Sequence, residues 1–596
     1  MTMSDRKIFV GGEFLITDVA PEDVFTPENF SDEHKMIFDT ARDFLNKEII
    51  PNIDKLEEKD KDLTLSLLAK AGELGLLGTD IPEEYGGLGL DKVSTTVVTE
   101  ALGGGGAFAI TWGAHTGIGT LPIVYFGNED QKKRYLPKLA SGEWCGAYCL
   151  TEPGAGSDAL NAKTKAVLSE DGKHYILNGE KLFITNAGWA NSYIVYAKVD
   201  GEDFTGFIVE RDFPGLSTGA EEKKMGGHGS STTAVILEDV KVPVENVLFE
   251  VGKGHKIAFN VLNIGRWKLG AAAVGGCKTS VSEAVKYANG RIQFKVPISS
   301  FGMIKAKLAN MAIRTYMSDS MMYRLAGMLD DKLGTLDEEA KRSGAENAKA
   351  IEEYAVECSI TKVYGSEILD YCVDEFVQIL GGYGYCSEYP AERAYRDARI
   401  NRIWEGTNEI NRMLIPGTMM QRAMKGRLDL FTAVQSIEGE LANYAFSSVD
   451  LPDTPLALQE HMIKMGKKIA LMIAGAAAQK FMQNLVKEQE ILEKLADMII
   501  QVFAMESGLL RTLKIIAEKG EEKAKHQIEA VKVYVDENIP VIETWAKQAL
   551  AYIEAGDTLQ NQLAGVTKLA QSRAIDAISL RRSIADRIIE LESYPF

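Results

Sequence analysis

The stretch Tyr175-Ile176-Leu177-Asn178-Gly179-Glu180-Lys181-Leu182-Phe183-Ile184 marks a change in the character of the chain. Apolar runs flank an Asn-Gly pair, which tolerates the positive φ angles of a tight two-residue turn, so a β-hairpin is expected here. Farther on, Thr233, Val235 and Leu237 alternate with Ala234, Ile236 and Glu238, the period of a half-buried strand. On both sides the period is helical. Upstream, from about Phe30 to Leu150, helical pattern is broken by glycine-rich turns at Tyr85–Gly89 and Gly103–Gly106. Downstream, Ile257, Val261 and Ile264, then Ile304, Leu308 and Met311, recur at helical spacing, and long helices are expected to about Lys425. A proline-containing break at Leu451–Pro455 precedes more helix, as at Ile584, Ile588 and Leu591. The expected fold class is mainly α with a central β domain. The expected units are an N-terminal segment (1–34), a helical domain (35–150), a β domain (151–254), a helical bundle (255–427) and a helical extension (428–596).

The totals narrow the function classes. A chain of 596 residues is too long for one compact core. Its 85 acidic and 66 basic side chains give a net charge of −19, which argues against a nucleic-acid partner. An anionic ligand would need positive charge gathered locally. Six cysteines with no CxxC pair read as reduced thiols. Cys145 and Cys149 have no histidine cluster beside them, so no metal site is expected. The opening MTMSDRKIFVGG has neither an apolar core nor an Arg/Ser-rich character, so export and organelle import are not expected. The longest apolar run, Ile469 to Ala478, is short of the roughly 20 residues a membrane span needs. A soluble, cytoplasmic protein is expected.

Several local patterns carry possible chemistry. Gly154-Ala-Gly156-Ser157-Asp158-Ala159 matches G-x-G-x-x-A, but it leads into a strand rather than opening a helix, so a dinucleotide-binding βαβ unit is rejected. A tight turn between the helical and β regions is the simpler reading. The pairs Gly226-Gly227 and Gly381-Gly382 permit turns or close backbone approach. His115, within Gly113-Ala-His-Thr-Gly117, reads as a packed residue. Arg393, Arg396, Arg399 and Arg402 recur every three residues ahead of Trp404-Glu405-Gly406-Thr407-Asn408. A glutamate beside glycine and an aromatic ring is suited to partial burial, which strengthens a carboxylate as a base.

Taken in order, several blocks resemble the acyl-CoA dehydrogenase family over about 35 to 425. They are Tyr148-Cys-Leu-Thr-Glu-Pro-Gly-Ala-Gly-Ser-Asp158, Asn178-Gly-Glu-Lys-Leu-Phe-Ile-Thr-Asn186, Met225-Gly226 and Leu237-Glu-Asp-Val-Lys-Val-Pro243. Arg291-x-x-Phe294, Gln378-x-x-Gly-Gly382 and Glu405-Gly-Thr407 complete the set. The resemblance implies a helical N-terminal domain, a β-barrel-like middle domain and a helical bundle, with FAD between the last two. It places Tyr148, Leu150, Thr151 and Ser157 along the flavin or its phosphates, and Phe183 and Thr185 beside the ring. Family members usually have tryptophan where Phe183 stands. From a second subunit, Arg291, Phe294, Gln378, Gly381 and Gly382 would hold the adenine half. Thr407 and Glu409 fall in the remaining flavin-contact segment, and Ser157, Asn263, Arg266 and Gly406 on the substrate side.

The same resemblance implies Glu405 as the base that removes the α-proton of an acyl thioester while the β-carbon gives hydride to the flavin. Its backbone amide would help hold the thioester carbonyl. Some branched-chain members use instead a carboxylate just before an arginine, here Arg266; the preceding residue is Gly265, which cannot serve. The small residues from Gly113 to Gly117 suggest a deep slot for long acyl chains. The extension resembles that of the very-long-chain branch, which implies a homodimer and peripheral membrane contact; Lys464, Lys467, Lys468 and Lys480 flank its apolar helix, but core packing explains them more simply. Fatty acid β-oxidation and electron-transferring flavoprotein are the implied pathway and acceptor. An oxygen-using acyl-CoA oxidase and a non-enzymatic assembly role are the alternatives.

Overall fold

The computed structural model describes residues 6–443 and 449–596. Strands gather between Gly146 and Leu248, with long helices before and after. They are β1 (Gly146–Cys149), β2 (Lys165–Leu168), β3 (His174–Thr185), β4 (Ser192–Val199), β5 (Asp203–Glu210), β6 (Leu216–Thr218), β7 (Thr232–Pro243) and β8 (Val247–Leu248). The ladder runs β6-β7-β3-β2-β4-β5-β8. β1 and β2 share one edge of β4, both parallel to it, and the other pairs are antiparallel. The ends of the ladder, β6 and β8, do not pair with each other, so the sheet is open where a barrel would close. It still wraps its core. Tyr175 of β3 meets Phe207 of β5 edge-on at 5.4 Å, and Val209, Val240 and Val242 share one buried cluster.

The Asn178-Gly179 pair is not a hairpin turn: β3 runs straight through it. Asn178 donates to Asp239 Oδ1 at 2.9 Å and accepts from the Asp239 N–H at 2.9 Å. Opposite it β7 carries an extra residue, with Asp239 at φ 52°. Glycine is needed next because β2 presses close: a Cβ at 179 would lie 2.5 Å from Thr164 Oγ1. Asn-Gly thus serves a bulge rather than a turn. A second irregularity falls between Lys181 and Ile184, where β3 has the extra residue and Phe183 takes φ 58°.

The helices Gly254–Gly290, Gly302–Gly334, Ala355–Leu380 and Asn408–Met424 form the bundle behind the sheet. Ile257, Val261, Ile264, Leu308 and Met311 are buried, as their spacing predicts. Beyond the bundle, the helices Ala457–Phe481, Gln489–Lys519 and Lys525–Ile553 add Ile469, Ile473, Phe503, Val531 and Ile542 to the cluster that holds Met317 and Val363. Each fully buried aliphatic side chain of this kind contributes about 1.5–3 kcal/mol.

Charged groups stitch the same parts together. Arg511 donates to Asp319 at 2.7 Å and to Glu28 at 2.9 Å. Lys278 donates to Asp319 at 2.9 Å and to Glu100 at 2.7 Å, and Tyr323 donates to Glu100 at 2.6 Å. Glu28, Glu100, Asp319 and Arg511 come from four distant stretches of chain.

Among the described residues one helical run, Ala457–Lys487, is long and apolar enough to cross a membrane by length and composition. The uninterrupted apolar run at Ile469–Ala478 understates it, because the helix extends through lysines on either side. Those lysines are engaged within the protein. Lys464 pairs with Asp18, Lys467 with Glu506, Lys468 with Glu440, and Lys480 donates to Ile553 O at 2.6 Å.

Candidate active site

A cavity of about 2030 Å³ opens between the sheet and the bundle. Eleven lysines and arginines line it against six glutamates, so a chain of net charge −19 concentrates positive charge at this place. That is the local reversal an anionic ligand requires.

One wall is the turn that follows β1. The backbones of Glu152 and Ala155 exchange N–H···O bonds of 3.1 Å, which closes the Thr-Glu-Pro-Gly turn. The Glu152 carboxylate then accepts from Lys163 N at 2.5 Å, Thr164 N at 3.0 Å and the buried Lys181 Nζ at 2.7 Å. Leu182 N donates to Thr151 O at 2.9 Å, so the bulge in β3 is tied to this turn. The bulge brings Phe183 into the cavity wall while leaving it 61% exposed. Bulges beside sites commonly re-aim a side chain in this way.

The opposite wall is the turn at Glu405-Gly406. Glu405 has φ 55° and Gly406 φ 78°, and a left-handed non-glycine residue costs about 1–3 kcal/mol. Its neighbours hold it there. Arg266 Nε donates to Glu405 O at 3.1 Å, and Asn411 Nδ2 to Gly406 O at 2.8 Å and Thr407 O at 3.0 Å. Lys362 Nζ donates to Gly406 O at 2.8 Å. Thr407 caps the helix Asn408–Met424 by accepting from Ile410 N at 3.3 Å.

All these bonds grip the backbone and none grips the carboxylate. Glu405 Oε2 is buried without a hydrogen-bond partner. Burial lifts the carboxyl to about 7, against the opposing charges of Arg266 and Lys362. Gly265 provides the room, since a Cβ there would stand 2.4 Å from Glu405 Oε2.

The cavity brings together Tyr148, Leu150, Thr151, Ser157, Phe183, Thr185, Asn263, Arg266, Glu405, Gly406 and Thr407. Glu409 lies on the same helix start but is exposed and outside the lining. Arg291, Phe294, Gln378, Gly381 and Gly382 lie away from the cavity. Arg291 stacks 5.4 Å from the Tyr383 ring, in the turn that Gly381 and Gly382 open at the end of the Ala355–Leu380 helix. Phe294 there is 88% exposed.

His115 is structural: Nδ1 accepts from Gly146 N–H at 3.1 Å and Nε2 donates to Leu139 O at 2.9 Å. Of the arginine series, Arg393, Arg396 and Arg402 pair with Asp54, Glu392 and Asp370, while Arg396 and Arg399 reach the cavity. Sequence reasoning missed Lys362, Asn411 and the Glu152–Lys181 pair. A lysine in the apolar run Cys358–Tyr364 was the available signal for the first.

Family models cover most of the chain. The acyl-CoA dehydrogenase N-terminal, middle and C-terminal domains match residues 31–143, 147–240 and 252–420, and a further acyl-CoA dehydrogenase C-terminal domain matches 465–568. A probable acyl-CoA dehydrogenase of Bacillus subtilis is 51% identical, with 98% of each chain covered. A mitochondrial very long-chain specific acyl-CoA dehydrogenase of Macaca fascicularis is 36% identical over 81% of this chain and 73% of its own. The crystal structure of an acyl-CoA dehydrogenase from Bacillus anthracis, complexed with FAD, superposes with a TM-score of 0.97 at 52% identity, covering 99% of this chain and 100% of that one. The chain belongs to the acyl-CoA dehydrogenase family.

Proposed function

We propose that this cavity takes FAD together with a long-chain acyl-CoA, and that Glu405 removes the substrate α-proton to give the trans-2-enoyl thioester of fatty acid β-oxidation. The observation that carries this reading is a buried carboxylate, left unpaired at a strained turn, facing a cavity rich in positive charge. The residues present fit FAD: Phe183 offers an uncovered aromatic face, and Thr151, Ser157 and Thr185 place hydroxyls in the same wall. Tyr148 and Leu150 complete that wall, Thr407 faces it from the opposite one, and Glu409 lies on the Thr407 helix outside the lining. Arg291, Phe294, Gln378, Gly381 and Gly382 form a separate exposed patch, suited to the adenine half of FAD held by a second copy in a homodimer. When bound, FAD supplies the hydride acceptor.

The chain does the rest. Ionised Glu405 accepts the α-proton, and its own N–H, which donates to no described group, is free to hold the thioester carbonyl. Asn263 Oδ1 accepts from Arg266 Nη1 at 2.9 Å, which fixes that guanidinium on the substrate side together with Ser157 and Gly406. Ile110, Ile118 and Phe126 give the cavity an apolar arm. Near it, Cβ atoms at Gly113 and Gly117 would meet nothing within 4 Å, which supports a deep acyl slot. Electron-transferring flavoprotein is the proposed acceptor.

Palmitoyl-CoA added without oxygen to the yellow holoenzyme should bleach the flavin, and Glu405→Gln should retain FAD and bleach far more slowly. Absence of bound flavin, even after reconstitution, would sink the reading; bleaching only with short thioesters would sink the chain-length part. Oxygen uptake without added acceptor would replace the dehydrogenase by an oxidase.

A further inference from the structure

Lys362 lies in the first third of the Ala355–Leu380 helix and is fully buried. Lysine is almost never buried without a charged partner. Here Nζ has none among the described residues; it donates to the Gly406 carbonyl at 2.8 Å and to Asn408 Oδ1 at 2.6 Å. Asn408 is held in turn by Ser366 Oγ at 3.1 Å and Glu367 Oε1 at 3.0 Å. Glu367 accepts two bonds from Arg412, whose Nε reaches Asp497 of the extension at 2.7 Å.

The charges that face Lys362 come from every element around it. Glu405 belongs to the turn and Glu409 to the helix that follows it; Arg266 comes from the Gly254–Gly290 helix and Glu367 from its own helix. A cation buried for packing alone would be better replaced by an apolar chain, because desolvation is not repaid by two neutral acceptors. Lys362 also stands outside the cavity lining, whereas Arg266 is part of it. The two cations therefore hold adjacent carbonyls of one turn, Arg266 from the substrate side and Lys362 from behind.

We propose that Lys362 is a positioning residue for the reaction: it pins the Gly406 carbonyl, and its charge favours the ionised form of the Glu405 carboxyl. This rests on the reading of Glu405 as the base. Burial lowers the Lys362 ammonium to about 7, so its charge responds to pH in the range where Glu405 also titrates.

The test uses holoenzyme carrying Lys362→Met, Lys362→Gln or Lys362→Arg, with anaerobic flavin reduction by palmitoyl-CoA followed across the neutral pH range. Loss of the charge should raise the midpoint of the pH–rate profile by about one unit and slow reduction at neutral pH about fivefold. FAD content and acyl-CoA affinity should stay close to wild type. The Gln variant keeps a donor for the carbonyl and should show the same shift with a smaller loss of rate at high pH; Arg should restore the midpoint. A wild-type midpoint and rate in both uncharged variants would overturn the proposal. Should Lys362→Met not retain FAD, the Gln profile decides alone. Glu405→Gln, run beside them, separates the two failures. If it reduces normally, the base assignment falls; if it is inert while the Lys362 variants behave as wild type, only this proposal falls.

Discussion

Gly265 sits directly against the carboxylate of Glu405, with the position of a Cβ at 265 only 2.4 Å from Oε2. One residue belongs to the helix Gly254–Gly290 and the other to a turn 140 positions later, yet they meet beside the cavity that Glu405 lines. The space beside residue 265 is therefore filled by the Glu405 side chain, and only a glycine there leaves room for it.

Crowding at 265 should therefore be read directly in the chemistry. Gly265→Ala displaces the carboxylate, and a misplacement of about 1 Å can lower a rate about 100-fold. FAD binding should survive, and anaerobic reduction by palmitoyl-CoA should show the loss. In the double variant Gly265→Glu/Glu405→Gly, reduction should be at least roughly tenfold faster than in Glu405→Gly alone. No recovery would mean that the two positions do not share a target.

The reaction should depend on pH through Glu405. Only its ionised form accepts a proton, and burial raises its carboxyl to about 7. The reduction rate should rise with pH through that value and fall about tenfold per unit below it. In Glu405→Gln this limb should vanish, leaving a slow and flat profile. A rate already constant well below neutrality would contradict the buried carboxyl.

Glu152 and Lys181 should not be equivalent. Removing Glu152 leaves a fully buried lysine unpaired and frees the N–H groups of Lys163 and Thr164. Loss of one partner from such a pair costs about 3–5 kcal/mol. Lys181→Met leaves Glu152 its other donors, Lys163 N, Thr164 N and Thr164 Oγ1, so its melting temperature should fall less than that of Glu152→Ala. Thermal melts with FAD-release readings would decide; equal losses would show that the salt bridge alone matters.

Chain-length preference should respond to Gly117. Its neighbourhood has space for a side chain, so Gly117→Val should fold normally. Activity with palmitoyl-CoA should fall about tenfold relative to butyryl-CoA, the size of a methylene-scale change in an apolar pocket. An unchanged ratio would place the end of the acyl chain elsewhere.

How much of this was readable beforehand differs from element to element. Helical periods at Ile257–Ile264 and Ile304–Met311, and the strand at Thr233–Leu237, reflect burial on one face, which a sequence carries directly. Asn178-Gly179 misleads because its permissive backbone suits a turn and a bulge equally. Only the partner Asp239, 61 residues away, separates the two. Glu405-Gly406-Thr407 stood out, since its backbone needs are written in adjacent residues. Lys362 did not, because the acceptors that explain it lie 44 and 46 positions away.

The pairing of Arg511 with Asp319 and Glu28 has a consequence for how the molecule is made. Glu28 and Asp319 leave the ribosome long before Arg511 does; until then Glu28 lacks the arginine it pairs with in the finished core, and Asp319 has Lys278 as its cationic partner. Truncations that stop short of it should stay protease-sensitive. The ion-paired centre around Asp319 is thus completed by a residue translated almost two hundred positions later.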